Sequence, residues 1–307
     1  MKMTLLFPGQ GSQSVGMGKD FYDQIPEARA RFDEADKILG RDLKRIIFDG
    51  PIEELTETQN TQPALFTVEA VITDLLLAKG VVPEYTAGHS LGEYSALYAA
   101  GVISFEDGLK TVAARGAAMA ETGRASPGTM AAVMGMDKEK IISVISQIKS
   151  GIVVSANENS PDQTVISGEV DAVNEACALL KEAGAKRAIL LPVSGAFHSP
   201  LMQPAADKLA AALESVGFSA PRCPVIANVT AKAETDPAVM KGLLVKQLIS
   251  PVRWVDSMAV LKECGSSVCA EVGPGAVIKG LVKKCAPEIN VVSCDSVNNV
   301  YSVLGIE

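Results

Sequence analysis

The stretch 88–92, Gly88-His89-Ser90-Leu91-Gly92, places a hydroxyl between two glycines with a histidine just before it. G-x-S-x-G between a strand and a helix is the pattern of a nucleophile elbow. The turn is so sharp that side chains at the flanking positions would clash, and the serine hydroxyl is presented at the carboxyl end of a strand. The bland alternative is a tight turn with a capping serine. A short strand ending at Ala87 and a small-residue helix over 92–100 favour the nucleophile. In that setting the N–H of Leu91 opens the helix and points at the reacting centre, as an oxyanion donor reinforced by the helix dipole.

A serine nucleophile needs a base, and the chain has two histidines, His89 and His198. Side chains of adjacent residues at such a turn point apart, so His89 reads as a residue packed beneath the turn. His198, in VSGAFHSPLM, is then the candidate base, weighed against a capping role before Pro200. No aspartate or glutamate announces itself as its orienting partner, which weakens a plain hydrolase reading; a backbone or amide carbonyl could hold the imidazole instead. A third charged group stands out. Arg115 sits in TVAARGAAMA, a helix of otherwise small and apolar residues, where a cation is costly unless paired. It is either half of a structural salt bridge or a fork for a substrate carboxylate.

The loop FPGQGSQ (7–13) offers Gly9 and Gly11 to a dinucleotide motif, but the third glycine position is Ser14 and no acidic residue follows a second strand at the usual distance. Close backbone approach to a reacting centre is the better use of these glycines, with the N–H of Gln10 as a second oxyanion donor.

The elements that must position these groups alternate between strand and helix. A strand over 3–7 precedes the glycine loop, and helices follow at 25–39, 63–78, 92–100 and 105–121. Residues 130–193 read β-α-β-β-α-β, with a helix at 138–149, strands VVSANEN and QTVISG, a helix over 171–183 with Asp171 as N-cap, and the strand RAILLPV; this is the ferredoxin-like order. Beyond it come helices at 204–216, 238–248, 255–263 and 277–284 and strands at 225–228, 269–272 and 290–293. The expected fold is α/β: an α/β-hydrolase-like core with a mostly parallel sheet over 1–124 and 194–307, and an inserted ferredoxin-like subdomain over 125–193.

Composition narrows the function classes. The 307 residues are 48% hydrophobic and 21% charged, with a net charge of −8. That is ordinary for a globular protein and leaves no global field for nucleic acid. The N-terminal apolar run is too short for a signal-peptide core, and no apolar stretch is read as reaching the roughly 20 residues of a bilayer span. Six scattered cysteines without a C-x-x-C pair are expected to be free thiols in a reducing cytoplasm. The expectation is a monomer that binds neither membrane nor nucleic acid.

FPGQGSQ, TQPALF (61–66), GHSLGEYSAL (88–97), the arginine helix, NENSP (157–161), GAFHSPLM (195–202), QLISPVRW (247–254) and EVGPGAVIKGL (271–281) together resemble the malonyl-CoA:acyl-carrier-protein transacylases of fatty-acid synthesis, across essentially the whole chain. The resemblance implies that Ser90 is acylated, that His198 is its base, and that N–H groups of Gln10 and Leu91 form the oxyanion hole. It implies that Arg115 grips the malonyl carboxylate, that the main-chain carbonyl of Gln247 orients the histidine, that Gln62 lines the pocket, and that Phe197 leaves little room for an α-methyl branch. The implied partners are malonyl-CoA, a substrate rather than a cofactor, and acyl carrier protein; no cofactor or metal is expected. Lys279, Lys283, Lys284, Lys186 and Arg187 are the candidate docking cations for an acidic carrier. The alternatives are a polyketide acyltransferase, a serine hydrolase or thioesterase using the same Ser-His pair, and a noncatalytic binding module.

Overall fold

A computed structural model describes residues 1–193 and 195–306, so the expected re-entry point Ser194 and the terminal Glu307 lie outside the described residues. The chain opens with β1 (Lys2–Phe7), and the glycine loop follows. Then come α1 (Lys19–Gln24), α2 (Pro26–Leu39), α3 (Leu43–Asp49), α4 (Ile52–Thr56) and α5 (Thr58–Ala78). After these come β2 (Val82–Gly88), α6 (Gly92–Ala99) and α7 (Phe105–Ala125).

The next segment is β3 (Gly128–Met134), α8 (Lys138–Ile145), β4 (Val153–Ser160), β5 (Gln163–Glu169), α9 (Val170–Glu182) and β6 (Arg187–Leu190). The chain then supplies α10 (Gln203–Glu214), β7 (Val225–Ile226), β8 (Ala233–Glu234), α11 (Pro237–Gln247) and α12 (Trp254–Glu263). It ends with β9 (Val268–Val272), α13 (Val277–Cys285), β10 (Asn290–Cys294) and α14 (Val297–Leu304).

Two sheets result. The first has the order β10-β9-β1-β2-β7-β8 and is parallel throughout except where β8 runs against β7. The second has the order β4-β5-β3-β6 and is antiparallel. Burial explains the patterning. The inner strands of the parallel sheet are covered on both faces and read as continuous apolar runs, as in MTLLF. In the antiparallel sheet one face packs on α8 and α9 through Val133, Ile141, Ile166, Val173 and Leu180. Strand β4 is tied to the segment between α11 and α12, where the Glu158 N–H donates to the Val252 carbonyl and the Val252 N–H to that of Ala156, each at 2.9 Å.

Several expectations need correcting. Helix α5 starts at Thr58 rather than at residue 63, and Pro63 lies inside it. A proline removes the N–H that would bond the carbonyl four residues back, and here Arg41 Nη2 donates to that Gln59 carbonyl at 3.0 Å. The same helix is, by length and composition, apolar enough to cross a bilayer, contrary to the sequence expectation; 78% of its apolar window is buried within the protein. Asp171 does not cap α9. Glu169 precedes the helix, and Asp171 lies in its first turn. Helix α8 stops at Ile145, four residues early, and α7 runs on to Ala125, so the expected boundary at residue 125 falls on its last residue. The short helices α1, α3 and α4 and the terminal α14 have no counterpart in the sequence reading, because one or two turns present too few positions to show a period.

Trp254 is the largest fully buried side chain and packs against the ring of His89 at 5.6 Å between centroids. Trp254→Ala is expected to lower the unfolding free energy by about 3–5 kcal/mol, read from the urea midpoint. A loss below about 1 kcal/mol would show that the site collapses around the vacancy.

Candidate active site

The geometry of the turn after β2 follows from two parallel neighbours. Phe7 pairs with Gly88, so the loops leaving β1 and β2 emerge side by side. A Cβ on Gly88 would stand 1.9 Å from Gly92, one on Gly92 would stand 2.3 Å from the Phe7 carbonyl oxygen, and one on Gly9 would stand 2.4 Å from that of His89. Glycine is therefore required at all three positions by backbone contact. Ser90 between them takes φ 52°, a left-handed conformation that costs a non-glycine residue on the order of 1 kcal/mol and persists only where the surroundings impose it. Asn228, just past β7, imposes it from below. Its Oδ1 accepts from the Ser90 N–H and its Nδ2 donates to the Gly88 carbonyl, both at 2.7 Å.

His198 also has positive φ, 57°, in the segment between β6 and α10, and is buried. Its Nε2 lies 2.8 Å from Ser90 Oγ and its Nδ1 lies 2.8 Å from the main-chain carbonyl oxygen of Gln247. A carbonyl only accepts, so Nδ1 carries the proton and bare Nε2 faces the serine hydroxyl. Burial, and then the charge of Arg115, push the imidazole down to about 3, so it stands neutral at physiological pH. His89 points elsewhere: its Nε2 meets Asn159 Oδ1 of β4 at 2.8 Å, and burial lowers its pKa.

Arg115, from the middle of α7, is 1% exposed. Nη2 donates to Ser90 Oγ at 3.1 Å and to Gln247 Oε1 at 2.9 Å, and Nη1 donates to Gln62 Oε1 at 2.8 Å. The guanidinium lies 5.4 Å from the centroid of the Tyr94 ring. These partners are uncharged, and burial lowers the arginine pKa, though a guanidinium stays charged in any protein setting. Gln62 is fixed in turn by donating to Met119 Sδ at 3.2 Å. A buried cation beside a nucleophile, bonded to neutral amides and a hydroxyl and with no hydrogen-bond partner for its Nε among the described residues, is arranged to receive an anion.

The remaining expected residues are placed less directly. Leu91 has a buried side chain at the start of α6, and Gln10 donates through Nε2 to Thr58 Oγ1 at 3.1 Å. Phe197 is buried in the main core, and a Cβ on Gly195 would stand 2.6 Å from its ring. Of the candidate docking cations, Lys284 is paired with Asp162 at 3.1 Å, which links α13 to the β4–β5 turn. Sequence reasoning missed Asn228, Asn159 and Glu93. Glu93, three residues after Ser90, is a carboxylate in a small-residue helix, the same kind of signal that singled out Arg115; Asn159 lies within the NENSP stretch without being singled out there, and Asn228 carries no signal along the chain.

The imidazole of His198 should stay neutral, with its proton on Nδ1, down to about pH 5. Ring-nitrogen NMR of histidine-labelled protein checks this, and a titration of His198 centred between pH 6 and 7 would contradict it.

Residues 4–300 match the acyl transferase domain family. The chain is 49% identical to the malonyl CoA-acyl carrier protein transacylase of Bacillus subtilis, over 92% of this chain and 90% of that protein. It is 45% identical to the protein of that name from Haemophilus influenzae, over 100% and 98%. The crystal structure of an acyl carrier protein S-malonyltransferase from Vibrio cholerae superposes with a TM-score of 0.95 at 43% identity, covering 99% of this chain and 100% of that one. A structure of a type II PKS acyl-carrier protein in complex with its malonyl-transacylase matches with a TM-score of 0.95 at 40% identity, over 99% of each chain. The chain belongs to the acyl transferase domain family and, within it, to the malonyl CoA-acyl carrier protein transacylases.

Proposed function

We propose that the chain transfers the malonyl group of malonyl-CoA to the phosphopantetheine thiol of acyl carrier protein, through a malonyl ester on Ser90, and so supplies fatty-acid synthesis. The observation that carries this reading is the Arg115 guanidinium within 3.1 Å of Ser90 Oγ, with His198 Nε2 2.8 Å from the same oxygen. An acyl group with its own carboxylate is the ligand that a buried fork beside a nucleophile suits.

In the first half-reaction Ser90 Oγ–H gives its proton to His198 Nε2 as Oγ bonds to the thioester carbon. The Gln247 carbonyl steadies the imidazolium that forms. The oxyanion lies toward the main-chain N–H groups of Gln10 and Leu91. Collapse breaks the C–S bond, and the coenzyme A sulfur takes the proton from Nε2. In the second half the carrier thiol gives its proton to His198, its sulfur attacks the ester carbon, and Ser90 Oγ leaves and recovers the proton. One thioester replaces another, with no cofactor called upon. Arg115 exchanges its bonds to Ser90 and Gln247 for the malonyl carboxylate, which fixes the acyl group against attack by water. Phe197 beside the base restricts a branch at the α-carbon.

The parallel sheet with Ser90 at the carboxyl end of β2 supports an α/β-hydrolase-like description of the core over 1–124 and 194–307. The order β4-β5-β3-β6 supports a ferredoxin-like description of residues 125–193. Free thiols at all six cysteines fit a reducing cytoplasm, and a monomer that binds neither membrane nor nucleic acid is part of the same reading. Lys186, Arg187, Lys279 and Lys283 are the cations left for an acidic carrier.

Intact mass after mixing with malonyl-CoA should show one added malonyl group, absent in Ser90→Ala and discharged by acyl carrier protein. Steady release of malonate with no adduct would identify a hydrolase instead. Arg115→Ala should lose roughly a hundredfold in kcat/KM for malonyl transfer, about 3 kcal/mol of transition-state stabilisation, and should gain on acetyl-CoA relative to malonyl-CoA. An unchanged preference would remove the carboxylate role.

A further inference from the structure

We propose that Glu93 is a positioning residue for this reaction: through Gln247 and Asn228 it sets the relative placement of the nucleophile, the base and the arginine. The inference rests on the acyl-transfer reading of Ser90 and adds a residue to it. Glu93 lies in the first turn of α6 and is 3% exposed. Its Oε2 accepts from Gln247 Nε2 at 2.5 Å and from the Asn228 main-chain N–H at 3.3 Å.

Each of those two residues holds a different part of the site. Asn228 fixes both ends of the serine turn, at Gly88 and Ser90. Gln247 accepts from His198 Nδ1 with its main chain, accepts from Arg115 with Oε1, and donates to the Ser90 carbonyl through Nε2 at 3.0 Å. The chemistry allows one orientation of that amide. Glu93 and the Ser90 carbonyl require its NH2 side and Arg115 requires its oxygen. Cation, amide and carboxylate thus form an ion pair bridged by Gln247, with both charges polarising the amide in the same sense. Without the carboxylate, one of the three groups that fix the amide is gone.

Burial raises the Glu93 carboxyl to about 7, against the pull of the bonds from Gln247 and Asn228 and the charge of Arg115. The other groups around it are Tyr94, its neighbour on α6, whose hydroxyl burial pushes well above the usual phenol range, and His198, reached through Gln247 and held neutral. From α5, Glu69, whose carboxyl burial raises well above the usual carboxylate range, lies near Ser95, two residues beyond Glu93 on α6. Glu93 therefore changes charge between about pH 6 and 8. Its ionised form, present above that range, is the one that anchors the Gln247 amide most strongly.

The test is single-turnover acylation by the malonyl thioester of N-acetylcysteamine, which has no group titrating in this range, for wild type and Glu93→Gln from about pH 5.5 to 8.5, with circular dichroism as the check on folding. Glu93→Gln should be slower by about tenfold at the upper end, the effect of losing one charge-assisted hydrogen bond. The gap should close as the wild-type carboxylate takes up its proton below about pH 7. Equal rates at the upper end, or a ratio constant across the range as a purely structural role would give, would overturn the proposal. If Glu93→Gln does not fold, the wild-type profile decides: a step near pH 7 supports the role and a flat profile removes it. No adduct on wild type would remove the acyl-transfer reading and this inference with it.

Discussion

A serine held at φ 52° between two backbone segments in van der Waals contact is the constraint from which the site follows. Parallel pairing of β1 and β2 forces the two outgoing loops together. Glycines at 9, 88 and 92 make that approach possible, and Asn228 bonds both sides of the turn from the neighbouring strand. Because this packing and the bonds from Asn228 hold Ser90 in its strained conformation, the protein itself presents the hydroxyl. Pre-positioning of this kind is where enzymes obtain much of their rate advantage.

The second constraint is electrostatic. A fully buried guanidinium next to the nucleophile would be unfavourable without partners, and the fold surrounds it with amides, a hydroxyl and an aromatic face. The same charge helps hold His198 neutral, so the cation that receives the substrate also keeps the base ready to accept a proton. Gln247 joins these roles, because its main chain orients the base while its side chain faces the arginine and Glu93. The missing carboxylate of a Ser-His-acid triad is thus replaced by a carbonyl, and the carboxylate that is present, Glu93, acts one residue further out.

Legibility along the chain tracked the range of the forces involved. The turn, the arginine in its apolar helix, the choice of His198 over His89 and the alternation of strands and helices all rest on local sterics, on burial cost or on the small number of histidines, and each leaves a mark within a few residues. The start of α5 was hidden because Pro63 suggests a first turn, and the partner that makes it tolerable, Arg41, lies 18 residues before the carbonyl it satisfies. The apolar length of the same helix could not be told from a bilayer span by composition, since a buried core helix and a membrane helix satisfy the same count.

What the sequence determined by itself was the inventory: a nucleophile in a turn that only glycines permit, one plausible base, and one cation out of place in its helix. What the tertiary structure decided was their meeting. His198 reaches Ser90 across 108 residues and Gln247 across 157, because the segment after β6 and the end of α11 pack against the turn at the carboxyl end of β2. Asn228 became visible only there, since a hydrogen bond between groups more than a hundred residues apart leaves no periodicity and no composition signal for a sequence to show; Glu93 left a local mark as a carboxylate in a small-residue helix, and the fold decided its partners, Gln247 and Asn228.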